Sequence, residues 1–583
     1  MRPRQLFWAS LAAFILLYGG YGLKRLTLGI DFTDEGAYLS WPMRMLFGEK
    51  LFSSDLGTLL RPLVAHLFIL FKLHPGLTVY EFRLLGWGLH LLSFSILSLY
   101  VFRLSNAPVL SPLLASVPLF VCNIFGLASP SYNSLSSDFL LMALSLRGLA
   151  AIDGASGKLP LNIGSGLALF LATLAHPALG LVAAVMLLRE LLARDLAQNL
   201  IRRRLTGSNA GVLVFAGCWL VFVLYLAGSG ALADWIQRTA MFRSFTVTAL
   251  NTHPVRIFLQ LLTYPFSYSL LARVFTLAAL ITLGALRLFS HRGAEPATER
   301  AALLLVFLLG ASLVCGFSYE ADFLPTGFAL ACLVLIGTHS LGLAGKILPV
   351  DPETRFLLLM SGLGAVVYAS FTFYFSPLRS WTSGILALPF AFATGSALLL
   401  RARPAGSGGL RILVTASLML AVAGTAWEHY QNIYRDAGPA KLPALFHLAK
   451  FAHIRSTEER VRAVEALYDN LHPRLARGEP LLAFDDCPML YYLFDAMPAY
   501  GLTWATRYTQ SPAALQQLDR ELRARPLPRY AIRTLVDLSN PVWSTAPRTS
   551  YDNYPLNDTV LAHYELEQTI FPFEIWRLKT AGR

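Results

Sequence analysis

Uninterrupted apolar runs recur along this chain from Phe7 to Trp427. A helix of about 20 apolar residues, rising 1.5 Å per residue, crosses a hydrocarbon core about 30 Å thick. Hydrophobic residues make up 55% of the 583 residues and charged residues only 14%, whereas a soluble domain usually carries about 25% charged residues. The sequence therefore predicts a multi-pass α-helical membrane protein.

Lysines and arginines lie in short loops between the apolar runs, the pattern that orients membrane helices. The net charge of +13 therefore indicates topology rather than a nucleic-acid partner. Arg2 and Arg4 precede the first run, and no small-residue cleavage pattern follows it, so we expect a retained span and a cytoplasmic N-terminus instead of a signal peptide. The stretch from Leu59 to Leu73 is short for a span, and we expect an interfacial or re-entrant helix there. About thirteen spans are predicted, at 7–23, 82–102, 109–125, 138–152, 161–176, 177–189, 211–227, 271–288, 302–317, 323–343, 356–375, 381–400 and 412–427.

This topology places the first long loop, residues 24–81, and everything after Glu428 outside the cytoplasm. We predict a membrane domain over residues 1–430 and a small extracytoplasmic α/β domain over residues 431–583. The second of these shows an amphipathic helical pattern and three short strand-like runs, at 457–471, 480–484, 528–534 and 573–578. An Arg-rich segment, 190–208, is expected to lie as an amphipathic helix on the cytoplasmic leaflet.

The densest polar cluster follows the first span and includes Asp31, Asp34, Glu35 and Tyr38. Three carboxylates within five residues repel one another, which raises their proton affinity unless a cation or a substrate compensates. The alternative is that these acids only cap a helix that begins near Gly36.

Asp138 opens the fourth predicted span on the same outer side. It too has helix capping as its structural alternative.

The layout resembles the GT-C class of membrane glycosyltransferases, in particular the bacterial aminoarabinose transferase and protein O-mannosyltransferase branch. In that branch the first outer loop carries an Asp-Glu pair, a Tyr three residues beyond the Glu, and then an amphipathic helix and a Gly. The matching residues here are Asp34, Glu35, Tyr38 and Gly48, and Asp138 resembles the second acidic residue of the family. His176 stands where relatives often have a lysine before Pro or Gly.

This resemblance implies a sugar donor on polyprenyl phosphate, reached through the membrane lipids, and an extracytoplasmic acceptor that is a glycan, a lipid or a protein. Asp34 would be the base that takes the acceptor proton, with inversion at the anomeric carbon, while Glu35 and Asp138 position the acceptor or the base. The leaving phosphate needs cations, and Arg offers a bidentate fit. Candidate substrate contacts are Asp31, Tyr38, Arg61, His176, Arg243, Arg256, Tyr319, Glu320 and Arg379.

Arg379, between the eleventh and twelfth spans, is the favoured phosphate ligand, although headgroup anchoring is the commoner role of an arginine at a span end. Capping of the tenth span is the alternative for Tyr319 and Glu320. Acidic pairs also attract divalent cations, but no metal site and no other cofactor is predicted. The location implied is a bacterial inner membrane with the C-terminal domain in the periplasm.

Two other functions stay open at this point. Many spans with scattered polar residues would also suit a transporter or flippase. A subunit of an envelope polysaccharide assembly complex could keep the fold without activity. Acids that converge beside an outer cavity favour sugar transfer, whereas acids at the bilayer midplane favour transport.

Overall fold

A computed structural model describes the chain apart from residues 1, 50–61, 122–128, 153–157, 193–206, 238–335, 337–349, 373–384, 402–415, 417–418, 420–421, 425, 484–486, 500–502, 504–519, 521–523, 544–554 and 580–583. The described N-terminal part is helical. Its helices are α1 (Pro3–Arg25), α2 (Asp34–Leu46), α3 (Pro62–His66), α4 (Phe68–Leu73), α5 (Val79–Ser105), α6 (Leu110–Val121), α7 (Tyr132–Ile152), α8 (Lys158–Ala175), α9 (Gly180–Leu192), α10 (Gly207–Gly228), α11 (Pro352–Thr372) and α12 (Pro389–Arg401).

Five of the described helices are long and apolar enough to cross a membrane. They are α1, α5, α7, α8 and the part of α10 from Ala210 to Gly228. Each of the five begins within six residues of the predicted start of its span. In the stretch 59–73, the described residues form the two short helices α3 and α4, which are shorter than a membrane span; their expected interfacial or re-entrant position stays a prediction. The predicted spans at 271–288, 302–317 and 323–343 and the segment 190–208 lie wholly or mostly outside the described residues.

Local sequence explains where the second long helix begins. Thr78 caps α5 by accepting a hydrogen bond from the Glu81 amide, and the Glu81 carboxylate accepts one from the Thr78 amide at 2.8 Å. This reciprocal capping box satisfies two amide groups that the helix itself leaves unbonded. Helix α5 ends at Asn106, which adopts the left-handed conformation common at helix C-termini.

Small residues allow close crossings between the long helices. A Cβ atom added at Gly166 of α8 would lie 2.1 Å from the Gly211 carbonyl oxygen of α10. The two backbones are therefore in direct contact, as at many interfaces between membrane helices.

A second polar cluster lies near the C-terminal end of α7, away from the first loop. Arg147 donates to Glu190 and, at 2.9 Å, to Glu353, and Arg189 pairs with Glu353 at 2.8 Å. These four charges tie α7, α9 and α11 together. Because α7 is apolar between its two polar ends, it separates this cluster from the polar groups of the first loop.

The C-terminal part combines helices with a five-stranded sheet. The helices are α13 (Glu458–Leu471), α14 (Met489–Leu493) and α15 (Pro555–His563). The strands are β1 (Ala444–Leu445), β2 (Arg455–Ser456), β3 (Pro480–Ala483), β4 (Met497–Pro498), β5 (Tyr530–Thr534), β6 (Tyr564–Ile570) and β7 (Phe573–Leu578). The sheet order is β4-β3-β5-β7-β6, with β3 parallel to β4 and β5, and β7 antiparallel to β5 and β6. The helix and the three strands that the sequence predicts in this region are thus confirmed as elements.

The first loop and the C-terminal part interlock. The Arg455 amide donates to the Thr27 carbonyl at 2.7 Å, and the Gly29 amide donates to the Arg455 carbonyl at 2.8 Å. Further on, the Met489 amide of α14 donates to the Phe32 carbonyl at 3.0 Å. Phe32 also belongs to one buried hydrophobic cluster with residues of the sheet. The loop and the C-terminal part therefore share a core, which fixes the position of the acids that begin α2.

Candidate active site

Asp31 caps the helix that carries the acidic pair. Its Oδ1 accepts hydrogen bonds from the Thr33 amide at 3.0 Å and the Thr33 hydroxyl at 2.6 Å, and its Oδ2 accepts one from the Glu35 amide at 2.9 Å. Burial raises the pKa of Asp31 above its usual value, and the nearby Arg435 guanidinium opposes this effect. Asp31 thus performs the capping role that the sequence allowed for the cluster.

Glu35 forms a buried ion pair. Arg83 of α5 donates to both of its carboxylate oxygens at 2.7 Å, and the Ser129 hydroxyl also donates to it. Arg83 further donates to the carbonyls of Leu26 and Gly29 at 2.8 and 2.9 Å. Bidentate Arg–carboxylate pairs are strong and geometrically specific, so Glu35 ties the first loop to α5 and to the segment before α7.

Asp34 differs from its two acidic neighbours in exposure. Its side chain is 15% exposed, compared with 2% for Asp31 and 0% for Glu35. The Tyr434 hydroxyl donates to its Oδ2, and the Arg435 guanidinium lies 3.2 Å from the same oxygen. Asp34 is thus the most accessible of the three acids, and the chain leading into the C-terminal part orients it.

Asp138 is held inside the helix bundle. Helix α7 begins at Tyr132, six residues before it, so the interpretation of Asp138 as the N-cap of this helix is wrong. His90 Nδ1 lies 2.8 and 2.9 Å from its two carboxylate oxygens, and the Ser93 hydroxyl donates to it at 2.8 Å. The span predicted from Asp138 therefore begins earlier than expected. A carboxylate inside an apolar helix is costly without partners, and His90 and Ser93 of α5 supply them.

Glu35 and Asp138 both pair with side chains of α5. Their partners, Arg83 and His90, are seven residues apart and therefore lie on one face of the helix, about 10 Å apart along its axis. The two acids thus occupy successive levels along α5, each neutralised or hydrogen-bonded there.

Tyr38 and His176 belong to a row of packed rings. Tyr38 is buried, with its ring centroid 6.2 Å from that of Tyr132, and Tyr132 lies 5.7 Å from His176. His176 in turn packs edge-on against Tyr368 of α11 at 4.9 Å. This row brings the first loop, the start of α7 and the end of α8 together beside the acidic groups.

The remaining predicted site residues lie outside the described residues. They are Arg61, Arg243, Arg256, Tyr319, Glu320 and Arg379. Within the described part of the chain, no group of three His, Cys, Asp or Glu side chains is arranged to hold a metal ion.

Four residues of the site were not predicted from the sequence: Arg83, His90, Tyr434 and Arg435. Arg83 and His90 did carry a signal, because an ionisable residue inside an apolar helix usually faces a partner in the protein. Tyr434 and Arg435 carried none, because their acidic partners are 400 residues away in the chain.

Comparisons with known proteins give structural neighbours only. No family model matches the chain, and no curated protein matches it. ArnT from Cupriavidus metallidurans bound to undecaprenyl phosphate is similar, with 13% sequence identity, a TM-score of 0.38 and 98% of each chain covered. The apo state of ArnT from the same organism is similar, with 12% identity, a TM-score of 0.38 and 97% of each chain covered.

Proposed function

We propose that this protein is an integral-membrane glycosyltransferase. It moves a sugar from a polyprenyl-phosphate carrier to an extracytoplasmic acceptor, which is a cell-envelope glycan, a lipid or a protein. The observation that carries the proposal is the difference among the three first-loop acids, since Asp31 and Glu35 are buried in fixed contacts while Asp34 is oriented and still partly exposed. A general base needs both a fixed position and access to the acceptor proton.

In the proposed reaction the Asp34 carboxylate takes the proton of the acceptor hydroxyl. The hydroxyl oxygen forms a bond to the anomeric carbon while the bond from that carbon to the phosphate oxygen breaks on the opposite face. The products are the glycosylated acceptor, with inverted configuration, and polyprenyl phosphate. Negative charge builds on the leaving phosphate, for which arginine is a suited partner; Arg61, Arg243, Arg256 and Arg379 are the candidates, with Arg379 favoured.

Glu35 and Asp138 act as positioning residues in this proposal. Arg83 forms an ion pair with Glu35 and also binds the Gly29 carbonyl, and these contacts hold the turn that precedes Asp34. The His90 contact of Asp138 holds α7 against α5. The location that accompanies the proposal is a bacterial inner membrane, with about thirteen spans and with residues 24–81 and 431–583 on the periplasmic side.

Donor turnover by the purified protein tests the proposal. The protein is reconstituted in vesicles, supplied with a panel of radiolabelled polyprenyl-phosphate sugars and an envelope extract as the acceptor source, and release of polyprenyl phosphate is followed. We expect Asp34→Asn to lower the rate by at least about 100-fold at unchanged protein level and thermal stability. Glu565→Gln, on the exposed strand β6, is the matched control and should behave as wild type. Full turnover by Asp34→Asn would show that this base is misassigned.

One observation favours transport as a second candidate. Asp138 and His90 form a buried pair between two candidate spans, and His90 lies roughly three turns into α5. Buried Asp–His pairs inside membrane helices can relay protons. Proton uptake into liposomes, followed with a pH-sensitive dye, would be lost in Asp138→Asn if the chain is a proton-coupled transporter and would be absent from wild type if it is a transferase.

A further inference from the structure

Residues 434–436, at the beginning of the C-terminal part, are held against the first loop. The Asp436 carboxylate accepts hydrogen bonds from the Ile30 amide at 3.0 Å and the Ser456 hydroxyl at 2.6 Å. Arg460 of α13 donates to the carbonyls of Ile30 at 3.1 Å and Arg435 at 2.8 Å. The backbone of residues 435–436 is thus fixed from two sides.

Arg435 has an unusual backbone conformation. Its φ angle is +53°, in the left-handed region, which costs a non-glycine residue about 1 kcal/mol. Such a conformation persists only where the surroundings determine it. Here the Arg460 bond to its carbonyl and the fixed Asp436 supply that constraint.

The side chains of Tyr434 and Arg435 both reach the acidic cluster of the first loop. Arg435 Nη2 lies 3.2 Å from Asp34 Oδ2, and Arg435 Nη1 lies 3.7 Å from Asp31 Oδ1. The Tyr434 hydroxyl donates to Asp34 Oδ2, and the Arg435 guanidinium lies over the Tyr434 ring at 4.8 Å. One cation therefore serves two acids, and a phenol fixes the direction of one carboxylate oxygen.

The charges around Asp34 come from two parts of the chain. The first loop contributes the Asp31 and Glu35 carboxylates, of which Glu35 is neutralised by Arg83. The beginning of the C-terminal part contributes Arg435 and the Tyr434 hydroxyl. Burial and the nearby Asp34 carboxylate raise the pKa of Tyr434, so its hydroxyl stays protonated and acts as a donor.

We propose that Tyr434 and Arg435 are positioning residues for Asp34, so that the C-terminal part completes the active site instead of only being attached to it. Arg435 keeps the carboxylate ionised beside Asp31, because an opposite charge within about 4 Å favours the charged form. Tyr434 directs the carboxylate through its hydrogen bond. This inference rests on the proposed function, in which Asp34 is the base.

A pH–rate profile separates this role from a purely structural one. Removing the cation in Arg435→Gln favours protonation of the neighbouring acids, so the acid limb of the transfer rate should move up by about 1 on the pH scale. Arg435→Lys keeps a charge and should move the limb less. Tyr434→Phe loses the directing bond and should lower kcat with an unchanged KM for the donor.

The experiment uses the full-length protein in vesicles with the polyprenyl-phosphate sugar on which wild type is active. Arg577→Gln is the matched control, because Arg577 forms an exposed pair with Glu565 in the same part of the chain. The inference is supported if the acid limb moves in Arg435→Gln, moves less in Arg435→Lys and stays in place in Arg577→Gln.

Two results would overturn it, and they are distinguishable. If Asp34→Asn is inactive but Arg435→Gln keeps the wild-type pH profile, losing activity only in proportion to folded protein, the positioning role is wrong while the proposed base survives. If Asp34→Asn transfers sugar as wild type does, the proposed base fails, and this inference fails with it.

Discussion

The buried pair between Glu35 and Arg83 offers a quantitative test of how the first loop is held. Both side chains are at most 4% exposed, so solvent screens the pair little. Breaking a buried ion pair by removing one partner typically costs about 3–5 kcal/mol, because the other charge stays behind unpaired. Glu35→Gln should therefore destabilise the fold by an amount in this range.

Arg83→Gln should be the more damaging change. Besides its two bonds to Glu35, Arg83 donates to the carbonyls of Leu26, Leu28 and Gly29 at 2.8, 3.4 and 2.9 Å. A buried acceptor left without a donor costs about 1–3 kcal/mol. We therefore expect this variant at or above the top of the 3–5 kcal/mol range.

The double variant then isolates the pair. With both charges gone no unpaired ion remains, so its cost should fall short of the sum of the two single costs by about 2–3 kcal/mol. Thermal unfolding in detergent, followed by tryptophan fluorescence, measures the cycle. A loss of 4 kcal/mol lowers Tm by roughly 10 °C for a cooperative unit of about 200 residues.

Arg577→Gln is the control for this cycle as well, because its ion pair with Glu565 is exposed to solvent and should contribute little to stability. Costs that add within about 0.5 kcal/mol, or a Glu35→Gln variant with the Tm of wild type, would refute the reasoning. In that case Glu35 would be free to act directly on substrate. If the cycle behaves as expected, lost transfer in Glu35→Gln should follow the lost folded fraction.

Three further outcomes are expected. Gly166→Ala should lower Tm in detergent by several degrees, because the new methyl group would lie 2.1 Å from a backbone carbonyl oxygen and overpacking costs about 1–3 kcal/mol. Gly217→Ala is the control. It has open space around it and should keep the wild-type Tm. Burial raises the pKa of Asp31, so the folded protein keeps the proton of this carboxyl group at pH values where the unfolded chain has lost it. Tm should therefore fall as pH rises from about 4 toward the raised pKa. This fall should be absent in Asp31→Asn. Asp138→Asn should destabilise by about 2–3 kcal/mol, because it weakens a buried contact to His90; a Tm equal to that of wild type would contradict that structural role.

The sequence could predict where the apolar helices lie, because length and hydrophobicity of a run decide whether it can cross a membrane. It located the ends of those helices less well. Helix α7 begins at Tyr132 instead of Asp138, because the cost of a carboxylate inside the helix is compensated by His90, 48 residues earlier in the chain. An ionisable residue in an apolar helix indicates that it has a partner, but which residue that partner is depends on the tertiary structure.

The same limit applies to the candidate site. The acidic residues of the first loop are visible as a cluster in the sequence, but their separate environments are not. Arg435 looks like any other arginine after a membrane span, and only the fold brings it within 3.2 Å of Asp34. The sequence therefore shows these carboxylates as one cluster, and only the fold shows their separate environments.

That division has a geometric cause. Successive residues of an α-helix point about 100° apart, so two adjacent acids at the start of α2 cannot share one environment. Glu35 faces α5 and is neutralised by Arg83, whereas Asp34 faces the beginning of the C-terminal part and stays partly exposed. The buried Glu35 anchors the turn before α2, and this fixed turn sets the direction of the Asp34 side chain. In the proposed function, the Asp-Glu pair at the start of α2 thus supplies an anchor and a base from one element, and each acid has its own cation.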